Sequence, residues 1–317
     1  MIRVDAIDGL PPGLRMSATL GVFDGLHRGH EEILERLVEL AREQRSTSVV
    51  ITFEPHPETV LRGVEPLLLC DPAERLARIA RLGVETFVVQ RFDRAFADQS
   101  PEAFLHLLGA GRDLAGLVMS SESAFGHDRE GTLERIRLIA PVAGFELAEV
   151  PSLSLGGERV SSTRIRNVIE AGRLGEARRL LGRRYAVIGE VVPGDRRGRD
   201  LGYPTANLFF DAPVTLPPNG VYAVRASWGG EDPLAPRHVA DSVASLGVRP
   251  TFGGGARLLE AHLFDFDGDL YGQRLRVEFV RRQRGERRFG SVDELIVQMD
   301  RDAARAREIL GRSFDGP

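Results

Sequence analysis

Gly21-Val22-Phe23-Asp24-Gly25-Leu26-His27-Arg28-Gly29-His30 separates two stretches of different rhythm. Before it, Met16–Val22 reads as a strand. After it, Ile33, Leu34, Leu37, Val38 and Ala41 recur at helical spacing and predict a helix over His30–Glu43. The decapeptide is therefore a strand-to-helix turn, and its two histidines emerge from it together. Backbone N–H groups at a helix start favour phosphate. Gly29 allows close approach to the backbone. Two imidazoles there can donate hydrogen bonds to a triphosphate as charge builds at the α-phosphorus. Such chemistry positions two substrates and needs no covalent nucleophile. A lone histidine in this place would be an ordinary helix-start residue; the pair within one decapeptide points to a nucleotide site.

Working outward, the rhythm repeats. Thr47–Phe53, Glu85–Val89, Leu114–Met119 and Phe145–Val150 read as strands, and Pro72–Leu82, Pro101–Leu108 and Thr132–Ala140 as helices. Strands alternating with helices predict a parallel sheet covered on both faces, with ligands beyond the carboxyl ends of its strands. After a helical stretch, Ser162 to Leu181, the pattern changes. Tyr185–Val192, Gly220–Ala226, Val239–Leu246, Leu259–Phe264 and Arg274–Phe279 are short strands punctuated by turn signals. They predict a small antiparallel barrel or sandwich, closed by a helix from Val292 to about Leu310. The domain boundary is expected near Gly182–Arg184, giving 1–183 and 184–317.

Composition narrows the chemistry. The 317 residues suit two domains, and the formal net charge of −4 gives no general pull toward nucleic acid or anionic membrane. One cysteine, Cys70, allows neither an internal disulfide nor a multi-cysteine zinc site, so a reducing, cytosolic setting is expected. No run approaches the roughly 20 apolar residues of a membrane span. The chain contains no lysine; all 42 basic residues are arginines. A lysine-dependent phosphate loop is thereby excluded. An ATP site here must use arginine, histidine, backbone amides and a metal.

The second half carries its own constellation, Gly198-Arg199-Asp200-Leu201-Gly202-Tyr203-Pro204-Thr205-Ala206-Asn207. Its glycines suit a flap over a nucleotide, and Arg199 is placed to reach phosphate. Thr205 and Asn207 offer two oxygens on one face of an extended segment, a donor type that suits Mg²⁺ bridging ATP phosphates. Downstream, Leu259–Gly272 alternates as a strand and then turns. Within it Glu260 is a carboxylate able to accept a hydroxyl proton during phosphoryl transfer. Asp265, Asp267 and Asp269, spaced by two, read as turn formers rather than metal ligands.

These motifs resemble a known family. The first decapeptide is similar to the H-x-G-H signature of the nucleotidyltransferase superfamily, in the longer form found in bacterial bifunctional riboflavin kinase/FMN adenylyltransferases. Thr52–Pro57 resembles the T-F-x-P-H-P segment of that family, and Ser161–Arg166 its S-S-T-x-x-R motif. Gly198–Asn207 resembles the flap-and-metal segment of riboflavin kinases, and Leu259–Gly272 the segment bearing their catalytic carboxylate. Further matches are Pro218–Val224, Gly247–Gly254, and Phe289, Ser291 and Gln298.

The resemblance implies a nucleotidyltransferase-type, Rossmann-like parallel-sheet domain followed by a riboflavin-kinase β-barrel with a terminal helix. It implies riboflavin, FMN, FAD and ATP as ligands, with Mg²⁺ accompanying ATP, and neither nucleic acid nor membrane as partner. His27, His30 and Glu260 are then catalytic. Gly21, Phe23, Asp24, Gly29, Ser162, Thr163 and Arg166 line the first nucleotide site, and Gly198, Arg199, Gly202, Thr205 and Asn207 the second. One segment departs from the pattern. Where the family carries G-x-D-F-x-F-G or G-x-N-F-x-F-G, this chain has Ser120-Ser121-Glu122-Ser123-Ala124-Phe125-Gly126. The alternative reading is a riboflavin kinase with a decayed adenylyltransferase domain.

Overall fold

The computed structural model describes residues 1–194, 198, 201–248 and 257–312. They form two compact units, one of residues 1–66 and 75–162 and one of residues 67–74 and 163–317.

The first unit is built on six parallel strands: β1 (Ile2–Val4), β2 (Arg15–Leu20), β3 (Thr47–Glu54), β4 (Thr86–Arg91), β5 (Asp113–Ser120) and β8 (Glu146–Val150). Their order across the sheet is β1-β4-β3-β2-β5-β8. Two short hairpins lie between and after the last strands, β6 (Ala124–Phe125) with β7 (Gly131–Thr132), and β9 (Ser154–Leu155) with β10 (Glu158–Arg159). Alternation along the central strands explains the layering. Val49, Ile51, Leu117 and Met119 enter one core with Phe104 and Ile136, while Val50 and Val118 enter the other with Leu34 and Leu37. A strand buried on both faces reads as a continuous apolar run, as Val49-Val50-Ile51 does. Leu34 and Leu37 belong to α1 (Arg28–Glu43), Phe104 to α5 (Pro101–Gly109) and Ile136 to α6 (Leu133–Ala143).

The strands and helices expected from sequence are present, with differences at the margins. The N-terminal segment adds β1, pairing with β4 at the sheet edge, where three residues are too few to show alternation. The helix α6 runs past Ala140, through Pro141, to end at Gly144, whose φ of 81° supplies a left-handed C-terminal cap. The stretch Ser162–Leu181 is two helices, α7 (Ser162–Glu170) and α8 (Leu174–Leu181). Gly172, at φ 75°, breaks it.

The second unit is a closed antiparallel barrel in the order β11-β12-β15-β14-β13-β16. Its strands are β11 (Ala186–Val192), β12 (Ala206–Phe209), β13 (Gly220–Trp228), β14 (His238–Val248), β15 (Arg257–Leu263) and β16 (Arg274–Arg284). Closure removes the exposed edges an open sheet would carry. Leu259, Ala261 and Leu263 alternate inward on β15, as do Leu275, Val277 and Phe279 on β16. The terminal helix α9 (Val292–Arg312) packs Ala306 and Leu310 against Ala223 and Phe264 of the barrel.

Residues 67–74 belong to this unit although residues 75–162 separate them from the rest of it. The Leu68 N–H donates to the Pro213 carbonyl and the Thr215 N–H to the Leu68 carbonyl, at 2.8 and 2.9 Å. Arg276 pairs with the buried Glu74 at 3.0 Å, with Glu278 also in reach. Burial alone would lower the Arg276 pKa; the two carboxylates outweigh it and raise it.

Candidate active sites

In the first unit, the turn from β2 into α1 is held from several sides. The Val22 carbonyl accepts from Arg75 at 3.0 Å and from Thr52 at 3.3 Å. Ser162 donates its hydroxyl to the Asp24 carbonyl at 3.0 Å, so the start of the S-S-T motif supports this turn from below. Phe23 and Leu26 take left-handed backbone angles, φ 52° and 36°. Non-glycine residues in that region are uncommon and cluster at functional turns.

His27 caps α1, its Nδ1 accepting from the His30 N–H at 3.3 Å. The two imidazoles stack with ring centroids 3.6 Å apart, and Phe23 meets the His30 ring edge-on at 5.3 Å. His27 and Asp24 are buried, His30 half-buried. The nearest atoms to a Cβ on Gly29 would be those of the His27 ring and Leu153, at ordinary contact distances of 3.5 and 3.6 Å. The protein itself thus leaves room at Gly29, and any demand for glycine there comes from what the site binds.

His27, Gly29 and His30 open onto a cavity of 1010 Å³ beyond the carboxyl ends of the strands. Gly21, Phe23 and Ser162 also line it. One wall is aromatic: Phe53, Phe92 and Phe96 pack at centroid distances of 5.4 to 5.9 Å, and Phe104 and Phe125 continue the cluster. Phe92 and Phe96 carry no motif; only their meeting at the cavity marks them. The divergent segment Ser120–Gly126 forms part of the same wall and is well knit. Ser120 and Ser123 share a hydroxyl hydrogen bond of 2.7 Å, Ser121 and Ser152 one of 3.0 Å, and Glu122 forms an ion pair with Arg159. Thr163 and Arg166 fall in the second unit, where Arg166 donates Nε to the Leu67 carbonyl at 2.7 Å.

In the second unit, strand register brings the other site together. Antiparallel pairing of β12 with β15 sets Asn207 directly opposite Glu260, and pairing of β14 with β15 sets Ser245 on Glu260's other side. Directly opposed residues share a face, so the amide and the carboxylate are neighbours. Asn207 is 6% exposed, and its buried Oδ1 has no hydrogen-bond partner among the described residues. A buried acceptor left unsatisfied is costly. An oxygen of that kind fits a hard cation.

The backbone packs tightly around these side chains. A Cβ on Gly194 would lie 2.4 Å from the Asn207 amide nitrogen, and one on Gly198 would lie 3.4 Å from the Thr205 hydroxyl. Gly194 therefore belongs to the site, although no motif marks it. Gly198 accepts through its carbonyl from Tyr203 N–H at 2.7 Å. Gly202 has φ 81°, which favours glycine. Arg199 and the 249–254 part of the Gly247–Gly254 match lie outside the described residues.

Tyr203 donates its hydroxyl to Asp300 of α9. Burial first, and the Asp300 carboxylate second, push its pKa up to about 12. The acidic turn after β15 behaves as its spacing suggests: Asp269 accepts from Tyr271 N–H at 2.9 Å and Asp265 pairs with Arg307 at 2.7 Å. No group of three or more His, Cys, Asp or Glu side chains placed to hold a metal ion occurs among the described residues.

Comparison with known proteins agrees with both halves. Residues 14–164 match the family model described as FAD synthetase and residues 181–310 the one described as riboflavin kinase. The bifunctional riboflavin kinase/FMN adenylyltransferase of Escherichia coli K12 is 38% identical over 295 residues, covering 92% of each chain. The chain belongs to the bifunctional riboflavin kinase/FMN adenylyltransferase family. A member from Bacillus subtilis is 34% identical, covering 90% of each chain. A solved structure from Streptococcus pneumoniae, described as a macrolide-efflux protein, has a TM-score of 0.85 at 31% identity, covering 96% of this chain and 98% of its own. No described helix of this family member is long and apolar enough to cross a membrane.

Proposed function

We propose that this family member performs both reactions in one chain, with riboflavin and ATP giving FMN at the barrel and FMN and ATP giving FAD and pyrophosphate at the first unit's cavity. The observations that carry the reading are the stacked His27 and His30 on a 1010 Å³ cavity of the first unit and Asn207 opposite Glu260 in the barrel. The functional division is placed at 1–183 and 184–317, supported by the separate family matches.

At the barrel, Glu260 accepts the proton of the terminal ribityl hydroxyl as its oxygen bonds to the γ-phosphorus of ATP and the bond to the bridging β–γ oxygen breaks. Thr205 and Asn207 are the residues that would hold the Mg²⁺ accompanying ATP, where it would supply charge neutralisation at the phosphate oxygens. The orphaned Asn207 Oδ1 supports this assignment. Gly198 and Gly202 belong to a flap over the nucleotide, and Arg199 serves its phosphate.

At the cavity, an FMN phosphate oxygen bonds to the α-phosphorus of a second ATP, and the bond to the bridging α–β oxygen breaks to release pyrophosphate. His27 and His30 donate hydrogen bonds to the charge that peaks on the α-phosphate. Gly21, Phe23, Asp24 and Gly29 shape the phosphate turn, and Ser162, Thr163 and Arg166 grip phosphate. The aromatic wall of Phe53, Phe92 and Phe96 offers flat apolar surface for an isoalloxazine ring. The compartment is the cytosol.

The intact fabric of Ser120–Gly126 favours an active adenylyltransferase over a decayed one, since its hydroxyls and Glu122 are all engaged in closing the wall. The test is to incubate the pure chain with riboflavin, ATP and Mg²⁺ and to separate the flavins by chromatography. FMN should appear first and FAD follow. Folded protein that stops at FMN would restore the kinase-only reading.

A further inference from the structure

His262 lies two residues beyond Glu260 on β15 and, by strand alternation, on the same face. Its Nδ1 is 2.8 Å from the Pro204 carbonyl oxygen. A carbonyl only accepts, so Nδ1 carries the hydrogen and the ring is the donor. The carbonyl it holds is not an ordinary one. Pro204 has a fixed φ and no N–H, so its carbonyl is the hydrogen-bonding handle of the peptide plane that leads into Thr205. Ala206 pairs with Ala261 and Asn207 with Glu260, so His262 lies one residue past the end of this pairing, beside the Pro204 carbonyl that leads into it.

The imidazole is itself fixed. Tyr203 meets it edge-on at 5.0 Å and Phe264 at 5.8 Å. Tyr203 is bound to Asp300 on α9, and Arg307 of the same helix covers Phe264 at 4.2 Å. On the other side there is no room for a side chain at Gly194, where a Cβ would lie 2.4 Å from the Asn207 amide nitrogen. The segment 203–207 is thus held at its peptide plane by His262 and closely packed at Asn207.

We propose that His262 is a positioning residue of the kinase site, holding the Pro204–Thr205 peptide so that the Thr205 hydroxyl and the Asn207 Oδ1 face the metal–nucleotide. The inference rests on the assignment of those two oxygens to the metal. It predicts that His262 governs binding of the metal–nucleotide and leaves riboflavin binding alone. The donor nitrogen is the part of the ring that matters. Asparagine places an N–H at the same distance from Cβ as Nδ1, so His262→Asn keeps the hydrogen bond while discarding most of the ring.

The test combines metal binding with kinetics on the full chain. Mn²⁺ binding in the presence of ADP is followed by electron paramagnetic resonance, with Asn207→Ala identifying the metal population that belongs to the barrel. Losing one such hydrogen bond should weaken that population about fivefold to tenfold in His262→Ala. The KM for Mg-ATP in FMN formation should rise by a similar factor, with the KM for riboflavin unchanged. His262→Asn should recover most of both, conversion of supplied FMN to FAD should stay normal in every variant, and unchanged Trp228 fluorescence reports that the barrel is folded. Unchanged Mn²⁺ affinity in His262→Ala, or an Asn variant no better than Ala, would overturn the proposal. If Asn207→Ala removes no bound Mn²⁺, the metal assignment itself is wrong and the positioning role falls with it.

Discussion

The cavity of the first unit and the face of the barrel hold their reactive groups in opposite ways. In the first, one contiguous decapeptide supplies the histidines, the capping contact and the phosphate turn, and distant residues such as Arg75, Thr52 and Ser162 serve to brace it. In the barrel, no short segment suffices. Asn207 and Glu260 are separated by half a hundred residues and meet because two strands pair in one register. A one-residue slip of that pairing would move one of them to the other face. The first site is thus secured by local geometry at a helix start, the second by the closure of the whole barrel.

That contrast orders the expected effects of substitution. Glu260→Gln removes the proton acceptor while keeping shape, and should lower the turnover of FMN formation by about 10²–10⁴. Conversion of FMN to FAD should be untouched, measured with supplied FMN. His27→Ala or His30→Ala should do the reverse. Loss of one preorganised donor is expected to cost about 10²–10³ in the turnover of FAD formation, with FMN formation normal. A loss that appears only in KM for either histidine would mean that it binds the ground state rather than the charge that develops later.

A third substitution addresses how far the barrel depends on chain outside it. Glu74 sits 202 residues before its partner Arg276; its own side chain is buried and that of Arg276 largely so. Removing one partner of a buried pair usually costs roughly 3–5 kcal/mol. Because Glu278 remains beside Arg276, Glu74→Ala should fall at the lower end. Urea unfolding followed through Trp228, the single tryptophan and a barrel residue, reads this unit alone. No shift in its midpoint would show that residues 67–74 are dispensable to the barrel.

The smallest effect concerns Tyr203. Its pKa is raised from 10.0 to about 12, so its contribution to stability is complete below pH 10 and fades as pH rises toward 12. Tyr203→Phe should therefore cost about 1 kcal/mol below pH 10, with the gap between the two proteins closing above it. Thermal unfolding across that range is the measurement, and a gap that widens with alkalinity would contradict the assigned hydrogen bond.

The same contrast explains what could be read from the chain alone. The parallel sheet was legible because Val49-Val50-Ile51 and its neighbours are doubly buried and the intervening helices carry clear periodicity. His27 and His30 were legible because their motif is local. The pairing of Asn207 with Glu260 was not, since register between strands far apart in sequence leaves no short pattern. β12 has four residues and follows a Gly-Pro-rich stretch, so it read only as an extended segment. Gly194 shows its role only through the amide packed against it, and Phe92 and Phe96 only through the cavity they share. The transfer of residues 67–74 to the barrel rests on Leu68, Asp71 and Glu74 finding partners more than a hundred residues away, which no local signal announces.

The central claim is that one chain holds two independent sites joined only by free FMN, and mixing two crippled proteins tests it directly. Glu260→Gln and His27→Ala are each incubated with riboflavin, ATP and Mg²⁺, separately and together, and the flavins are separated by chromatography. Alone, the first should leave riboflavin almost unchanged and the second should stop at FMN. Together they should make FAD, as FMN released by one is adenylylated by the other. A mixture that still stops at FMN, or either variant failing at both steps while folded, would contradict the account.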